Sequence, residues 1–335
     1  MKAWKKLGLT ALAGSMVALS AQAGEMTVGG YAKLTYTADT GAQDDSTDGN
    51  RFGMQQFIDV TGSGELENGF KFTLYHSGSF TDDTSTSADG NGMSTSYLSL
   101  DMGAMGTIKF NQQTGNLGID IIDDMMPTAD EEITNGLTSS GGATPTGQAG
   151  MSKDGFNYTN SFADGQLTAH IGYSPKGGGT QDDGANGGTG SKSDTSYALI
   201  IKPEMVEGLE LGAGIGDKGT ATAEDEHDTM YVKYAIGMVE VGYQVSNIDY
   251  NASGTADEEN TKFGIALNIN ENLSISYGEG TTEETGAVDE EVEGLSIAYS
   301  MGGMTLKAHK NTGKNLGNTA DQESEHTEIA LSFAF

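Results

Sequence analysis

The sequence predicts an all-β fold, a transmembrane antiparallel β-barrel of about 16 strands. Three observations predict it. The last eleven residues, Glu325 to Phe335 (EHTEIALSFAF), place Ile329, Leu331, Phe333 and Phe335 two apart, with Glu328, Ala330, Ser332 and Ala334 between. That period of two marks a strand with one apolar face. Segments of roughly ten residues with the same alternation recur along the chain, the length of a strand tilted across a bilayer. The connections between them alternate short and long, the asymmetry of a barrel whose two ends face different compartments.

The N-terminus is an address. Lys2, Lys5 and Lys6 precede an apolar run, Leu9 to Ser20, that is too short to span a bilayer. Ala21-Gln22-Ala23 follows as a small-residue cleavage site, so residues 1–23 read as a secretory signal peptide and 24–335 as one barrel domain. Without the three signal lysines, 14 Lys and Arg stand against 48 Asp and Glu, a net charge of −34. Such a charge argues against nucleic acid as a partner, because phosphates need basic residues to neutralise them. There is no Cys. A secreted chain of this size without disulfides needs another source of stability, and barrel closure supplies one. Beyond the signal peptide no apolar run is long enough for a transmembrane helix.

The early strands show the pattern in order. Val28, Ala32, Leu34 and Tyr36 form one face, with Tyr31, Lys33 and Thr35 on the other. Phe70, Phe72 and Leu74 oppose Lys71, Thr73 and Tyr75. Leu98 and Leu100 oppose Tyr97, Ser99 and Asp101, and Ile108 and Phe110 oppose Thr107, Lys109 and Asn111. Lysines fall on the polar face, which fits a wet lumen, since Lys facing lipid costs ~2–4 kcal/mol at the midplane. Later strands centre on Leu211, Val241, Ile265, Ile275 and Ile297. The expected short turns are 203–208, 236–238, 270–272 and 302–303. The expected long loops are 217–228, 247–260, 279–293 and 311–325, which carry many of the acids. At roughly 36–40 residues per hairpin, the mature chain holds about eight hairpins. A barrel of 16–18 strands leaves an aqueous channel.

The closing strand, with its terminal Phe335, resembles the assembly signal of Gram-negative outer-membrane barrels. Arg51-Phe52-Gly53, Gly64 to Lys71 (GELENGFK), Tyr97-Leu98-Ser99-Leu100 and Gly103 to Phe110 (GAMGTIKF) resemble the N-terminal third of Gram-negative general porins. The middle of the chain matches in rhythm only. The resemblance implies a homotrimer of sixteen-stranded barrels, each with its third loop folded into the pore, set in outer-membrane lipid and lipopolysaccharide. It also implies that Ile329, Leu331, Phe333 and Phe335 are read by the barrel-assembly machinery. Many members carry arginine where Lys109 and Gln112 stand here, so the basic wall is thinner and anion selectivity is in doubt.

The longest unpatterned stretch, Thr114 to Lys153, occupies the position of that third loop, and loops of this length are usually functional. Asp120, Asp123, Asp124, Asp130, Glu131 and Glu132 surround Met125-Met126-Pro127. Ile119, Ile121, Ile122, Met125 and Met126 would pack on the barrel wall. Lys33, Arg51, Lys71 and Lys109 would face the acids from the opposite wall, and such arcs of charge set ion preference. The expected function is passive diffusion of ions and small hydrophilic solutes, with weak cation selectivity and neither catalysis nor cofactor.

Other signals are weaker. Gly214 to Gly219 matches a dinucleotide-binding pattern but opens no helix. Asp44 to Gly49 (DDSTDG) resembles half a calcium loop but lacks the required Glu, with Gln55 at that place. Loose calcium binding between acidic loops stays open. His76, His170, His227, His309 and His326 have no metal-ligand spacing and read as scattered. Two alternatives remain: a secreted acidic calcium-binding β-sandwich adhesin, which would leave membranes without detergent, and a substrate-specific outer-membrane channel. A barrel enzyme would need a Ser-His or Asp-His site on its rim, and none can be read.

Overall fold

Among the described residues, sixteen antiparallel strands close on themselves. The structure is a computed structural model and describes residues 24–41, 51–81, 91–112, 116–145, 155–175, 192–219 and 223–335. The expected signal peptide and the DDSTDG stretch lie outside these residues. The first half comprises β1 (Met26–Asp39), β2 (Phe52–Glu65), β3 (Lys71–Thr81), β4 (Asn91–Asp101), β5 (Thr107–Gln112), β6 (Gly155–Phe162), β7 (Leu167–Ser174) and β8 (Asp194–Ile201). The second comprises β9 (Leu209–Gly219), β10 (Glu224–Ile236), β11 (Val239–Asp249), β12 (Glu258–Asn270), β13 (Leu273–Glu284), β14 (Glu290–Met301), β15 (Met304–Lys314) and β16 (Ser324–Ala334). Each strand pairs with its sequence neighbours, and β1 pairs with β16 from Tyr31↔Ala334 to Asp39↔His326. No free edge remains, which is the condition for a sheet in lipid.

The two faces invert the pattern of a soluble sheet. Outward positions carry the exposed apolar side chains: Val28 is 62% exposed, Ile215 61% and Leu295 61%. The alternating inward positions carry buried polar groups, including Gln244, Ser276, Ser296 and Asn311. An apolar belt outside and a polar interior is the arrangement of a barrel in lipid, and it removes the sandwich alternative. Among the described residues no helix is long and apolar enough to cross a membrane.

The short turns stand where expected, but the long loops are shorter. Residues 250–257, 285–289 and 315–323 connect strands that run past the expected bounds, and β9 and β10 likewise reach Gly219 and Glu224. Glu224, Asp225 and Glu226 belong to β10, Glu258 and Glu259 to β12, and Glu283 and Glu284 to β13. The acids therefore line strand ends as well as loops. Polarity no longer alternates there, while the backbone ladder continues: Glu258↔Glu284 and Glu259↔Glu283 are still paired positions.

Candidate functional site: the lumen and its long loop

Between β5 and β6 lies the long loop, residues 113–154, described from 116 to 145. It runs along the polar inner faces of the barrel. Its first anchor is Leu117, whose carbonyl accepts from Ser196 Oγ at 2.9 Å, while Gly118 N donates to Asn157 Oδ1 at 2.9 Å. A 3-10 turn, Gly118–Ile122, follows. Its Ile119 and Ile122 are fully buried against Ala198 and Tyr231, with Ile121, Met125 and Met126 packed beside them. This is the apolar side expected from the sequence.

Gln244 on β11, itself fully buried, clamps the next step. Its Nε2 donates to the carbonyls of Ile122 at 2.9 Å and Asp123 at 2.7 Å, and its Oε1 accepts from Met125 N at 2.9 Å. Pro127 then passes so close to β11 that a Cβ on Gly242 would meet its Cδ at 2.6 Å. Ala129 N donates to Ser276 Oγ at 2.8 Å on β13. Asn311 Nδ2 on β15 donates to the carbonyls of Glu132 and Asn135, both at 3.0 Å. Thr138 N reaches Ser324 Oγ on β16 at 3.2 Å. The loop is thus held by side chains from β6 round to β16. Short hydroxyls, amides and glycines at inward positions let a backbone lie against the wall with its polar groups satisfied.

The six acids divide by environment. Asp120 is buried and accepts from Leu117 N at 3.4 Å, capping its own turn. Asp123 has its carboxyl pushed up to about 7, first by burial and then by Asp120, Glu132 and Asp124, with Lys262 opposing. Asp124 lies 3.7 Å from the buried ammonium of Lys262 on β12. Asp130 meets Lys307 Nζ and His309 Nδ1 on β15, each at 2.9 Å. Burial would raise the Asp130 carboxyl, but these two donors outweigh it and hold it below its ordinary value. Glu131 and Glu132 are exposed.

The four expected bases are spread over the first strands and none is ion-paired with the loop's acids among the contacts described. Lys33 faces the lumen and pairs with Glu328 on β16 at 3.6 Å. Lys109 lies over the Tyr97 ring at 4.0 Å. Arg51 stands half-buried at the mouth of β2, and Lys71 is exposed at the start of β3. Asp124 and Asp130 take their cations instead from Lys262 and Lys307. Lys262 sits at a polar position of the strand centred on Ile265, so its signal was present, whereas the segment that carries Lys307 was not among the strands named from the sequence. Gln244 left no signal beyond its place on a polar face. Two of the five histidines come together: the rings of His309 and His326 lie 5.2 Å apart, tilted by 35°, and His326 Nδ1 meets Asp39 Oδ1 at 2.5 Å. Ile329, Leu331 and Phe333 share the outward face of β16. Phe335 follows the strand, 74% exposed, with its N donating to Gly30 O at 3.0 Å.

Solved structures of other porins share this architecture. An anion-selective porin from Comamonas acidovorans superposes with a TM-score of 0.64 at 11% identity, over 93% of this chain and 99% of that one. A variant of the Rh. blastica porin gives 0.63 at 13% identity, over 93% and 100%. Salmonella typhi OmpF, in complex with daunomycin, gives 0.63 at 12% identity, over 92% and 97%. At such identities the likeness is one of fold. No curated protein sequence matches the chain. The sequence profile of Gram-negative porins matches residues 8–305, most of the length. A closed sixteen-stranded barrel with a polar lumen, and a profile match of that extent, place the chain in the Gram-negative porin family.

Proposed function

We propose that this outer-membrane porin is a homotrimeric general diffusion channel with weak cation selectivity, narrowed by the long loop, and that residues 1–23 are its export signal. One observation carries the selectivity. Glu131 is exposed on a loop docked along the lumen wall, whereas the two lysines that reach that loop as ion pairs, Lys262 and Lys307, lie beside Asp124 and Asp130. Paired charges contribute little net field, so the exposed carboxylate sets the sign. The Comamonas porin's anion selectivity is a property of that protein, which is 11% identical to this chain.

The trimer reading rests on the family resemblance and on the outward face of β2 to β4. Gln56, His76 and Ser96 stand there in line with exposed Met54, Leu74 and Leu98. Polar groups facing lipid are costly, and a subunit contact shelters them.

Single-channel recording in a dilute salt gradient tests the function. The native pore should show a reversal potential on the cation side that weakens toward 1 M, as the screening length shortens from ~30 Å at 0.01 M to ~3 Å. Replacing Asp123, Asp124, Glu131 and Glu132 by their amides should shift it toward anions and change conductance. An unchanged potential at low salt means the loop is not the constriction. A native anion preference rejects the charge argument.

A further inference from the structure

One inward aromatic ring is fixed in place with one face packed and the other turned to a cavity. Tyr31 on β1 stacks on Phe57 of β2 with ring centroids 5.1 Å apart and an interplanar angle of 13°. Its hydroxyl donates to Gln55 Oε1 at 3.3 Å, and Gln55 Nε2 donates to Ser79 Oγ at 3.0 Å. The ring is therefore held at its face and at its tip. On the side away from Phe57 the strand is β16, whose inward residues are small. Ala334 is the position opposite Tyr31, followed by Ser332 and Ala330. The space they leave is a cavity of about 290 Å³.

Charged groups surround that space in both signs. Lys33 with Glu328, and Lys307 with Asp130, reach it as pairs, and Glu131 adds a carboxylate from the long loop. Three carboxylates against two ammoniums disfavour an anion. Groups already paired offer hydrogen bonds of both kinds without demanding a charge. Hydrogen bonds to charged groups are the stronger ones. An aromatic face, in turn, takes an apolar, flat surface. One chemical class offers both at once: a sugar ring, with hydroxyls around its edge and C–H bonds on its face. The volume lies at the lower end of small-ligand pockets, enough for one ring.

We propose that this cavity is a station in the channel for a single neutral pyranose ring, stacked on Tyr31 and hydrogen-bonded by Lys33, Glu131 and Glu328. The proposal rests on the channel reading and adds a solute class to it. The station binds weakly, as a site in a conducting path must if the solute is to leave. An open-chain hexitol carries the same hydroxyls, but it has no flat face and it loses more rotamer freedom on ordering.

The test is swelling of proteoliposomes holding the native porin, in equal gradients of glucose and sorbitol. Glucose should enter about three- to tenfold faster, the preference one weak aromatic contact supports. Tyr31→Ala should bring the ratio to about one, without slowing sorbitol, and Tyr31→Phe should keep the preference. The native channel's current should also fall with glucose concentration and saturate, whereas sorbitol should act only linearly. This second measurement decides the matter if Tyr31→Ala does not assemble. Brisk swelling with equal rates, a Tyr31→Ala ratio like the native one, or a linear glucose effect on the current overturns the station and leaves the channel intact. No swelling with either solute overturns both readings.

Discussion

Asp123 is the residue where the loop's chemistry can be titrated. Its carboxyl has an ordinary value of 3.8 and stands at about 7 in the folded loop, chiefly through burial. Between those values the folded chain holds a proton that the unfolded chain has lost. The docked loop therefore draws stability from Asp123 at lower pH, and that contribution fades as pH rises through about 7. Above that pH a further negative charge appears in the lumen. In dilute salt the reversal potential should move toward cations between pH 6 and pH 8. Asp123→Asn should remove most of that movement; parallel pH curves for the two proteins would reject the assignment. Nothing in the order Asp120, Asp123, Asp124 announces which acid is buried. The sequence marks an acidic cluster, but burial is decided by Gln244, more than a hundred positions away, drawing the Asp123 carbonyl to the wall.

The long loop owes its position to the strands beneath it. Gln244 makes three bonds to its backbone, and removing the amide leaves buried carbonyls and an N–H without partners. Each such group costs about 1–3 kcal/mol. Gln244→Ala should leave the barrel closed, with unchanged β-sheet circular dichroism. It should make the loop loose, giving noisier and larger single-channel currents. A quiet native conductance would show that the amide is dispensable. Gly242→Val acts on the same contact from the other side: with 2.6 Å between its Cβ and Pro127, the side chain must push the loop inward. Its expected outcome is a smaller conductance. The loop's apolar residues and acids were legible in the sequence as a pattern. Its route was not, because the glycines and short polar residues that receive it look like ordinary lumen positions one strand at a time.

At the scale of the whole barrel, the orientation and assembly readings can be tested directly. If the short turns face the periplasm, Ser253→Cys and Ala287→Cys should label with an impermeant thiol reagent on intact cells. Glu271→Cys and Gly303→Cys should be protected; the reverse pattern would turn the barrel over. Phe335 follows β16, the strand that closes onto β1, and its N–H reaches Gly30 O, so deleting it should leave exported, unassembled chain in the periplasm. Normal amounts of heat-modifiable barrel in the outer membrane would reject that role. The sequence by itself determined the barrel, its strand number, the alternation of short and long connections, and the closing strand. The strands follow from a period of two, which each carries locally and which water on one side and lipid on the other impose, and their number follows from the chain length divided among hairpins. Beyond the apolar belt both faces of a strand are wet and the period fades, so the strand ends ran past their expected limits. Charge pairing was a matter for tertiary structure alone. Asp124 with Lys262 and Asp130 with Lys307 are contacts between distant segments, and the cavity beside Tyr31 is bounded by β1, β16, β15 and the loop together. They arise only when closure sets the first strand beside the last and the loop across the wall between them.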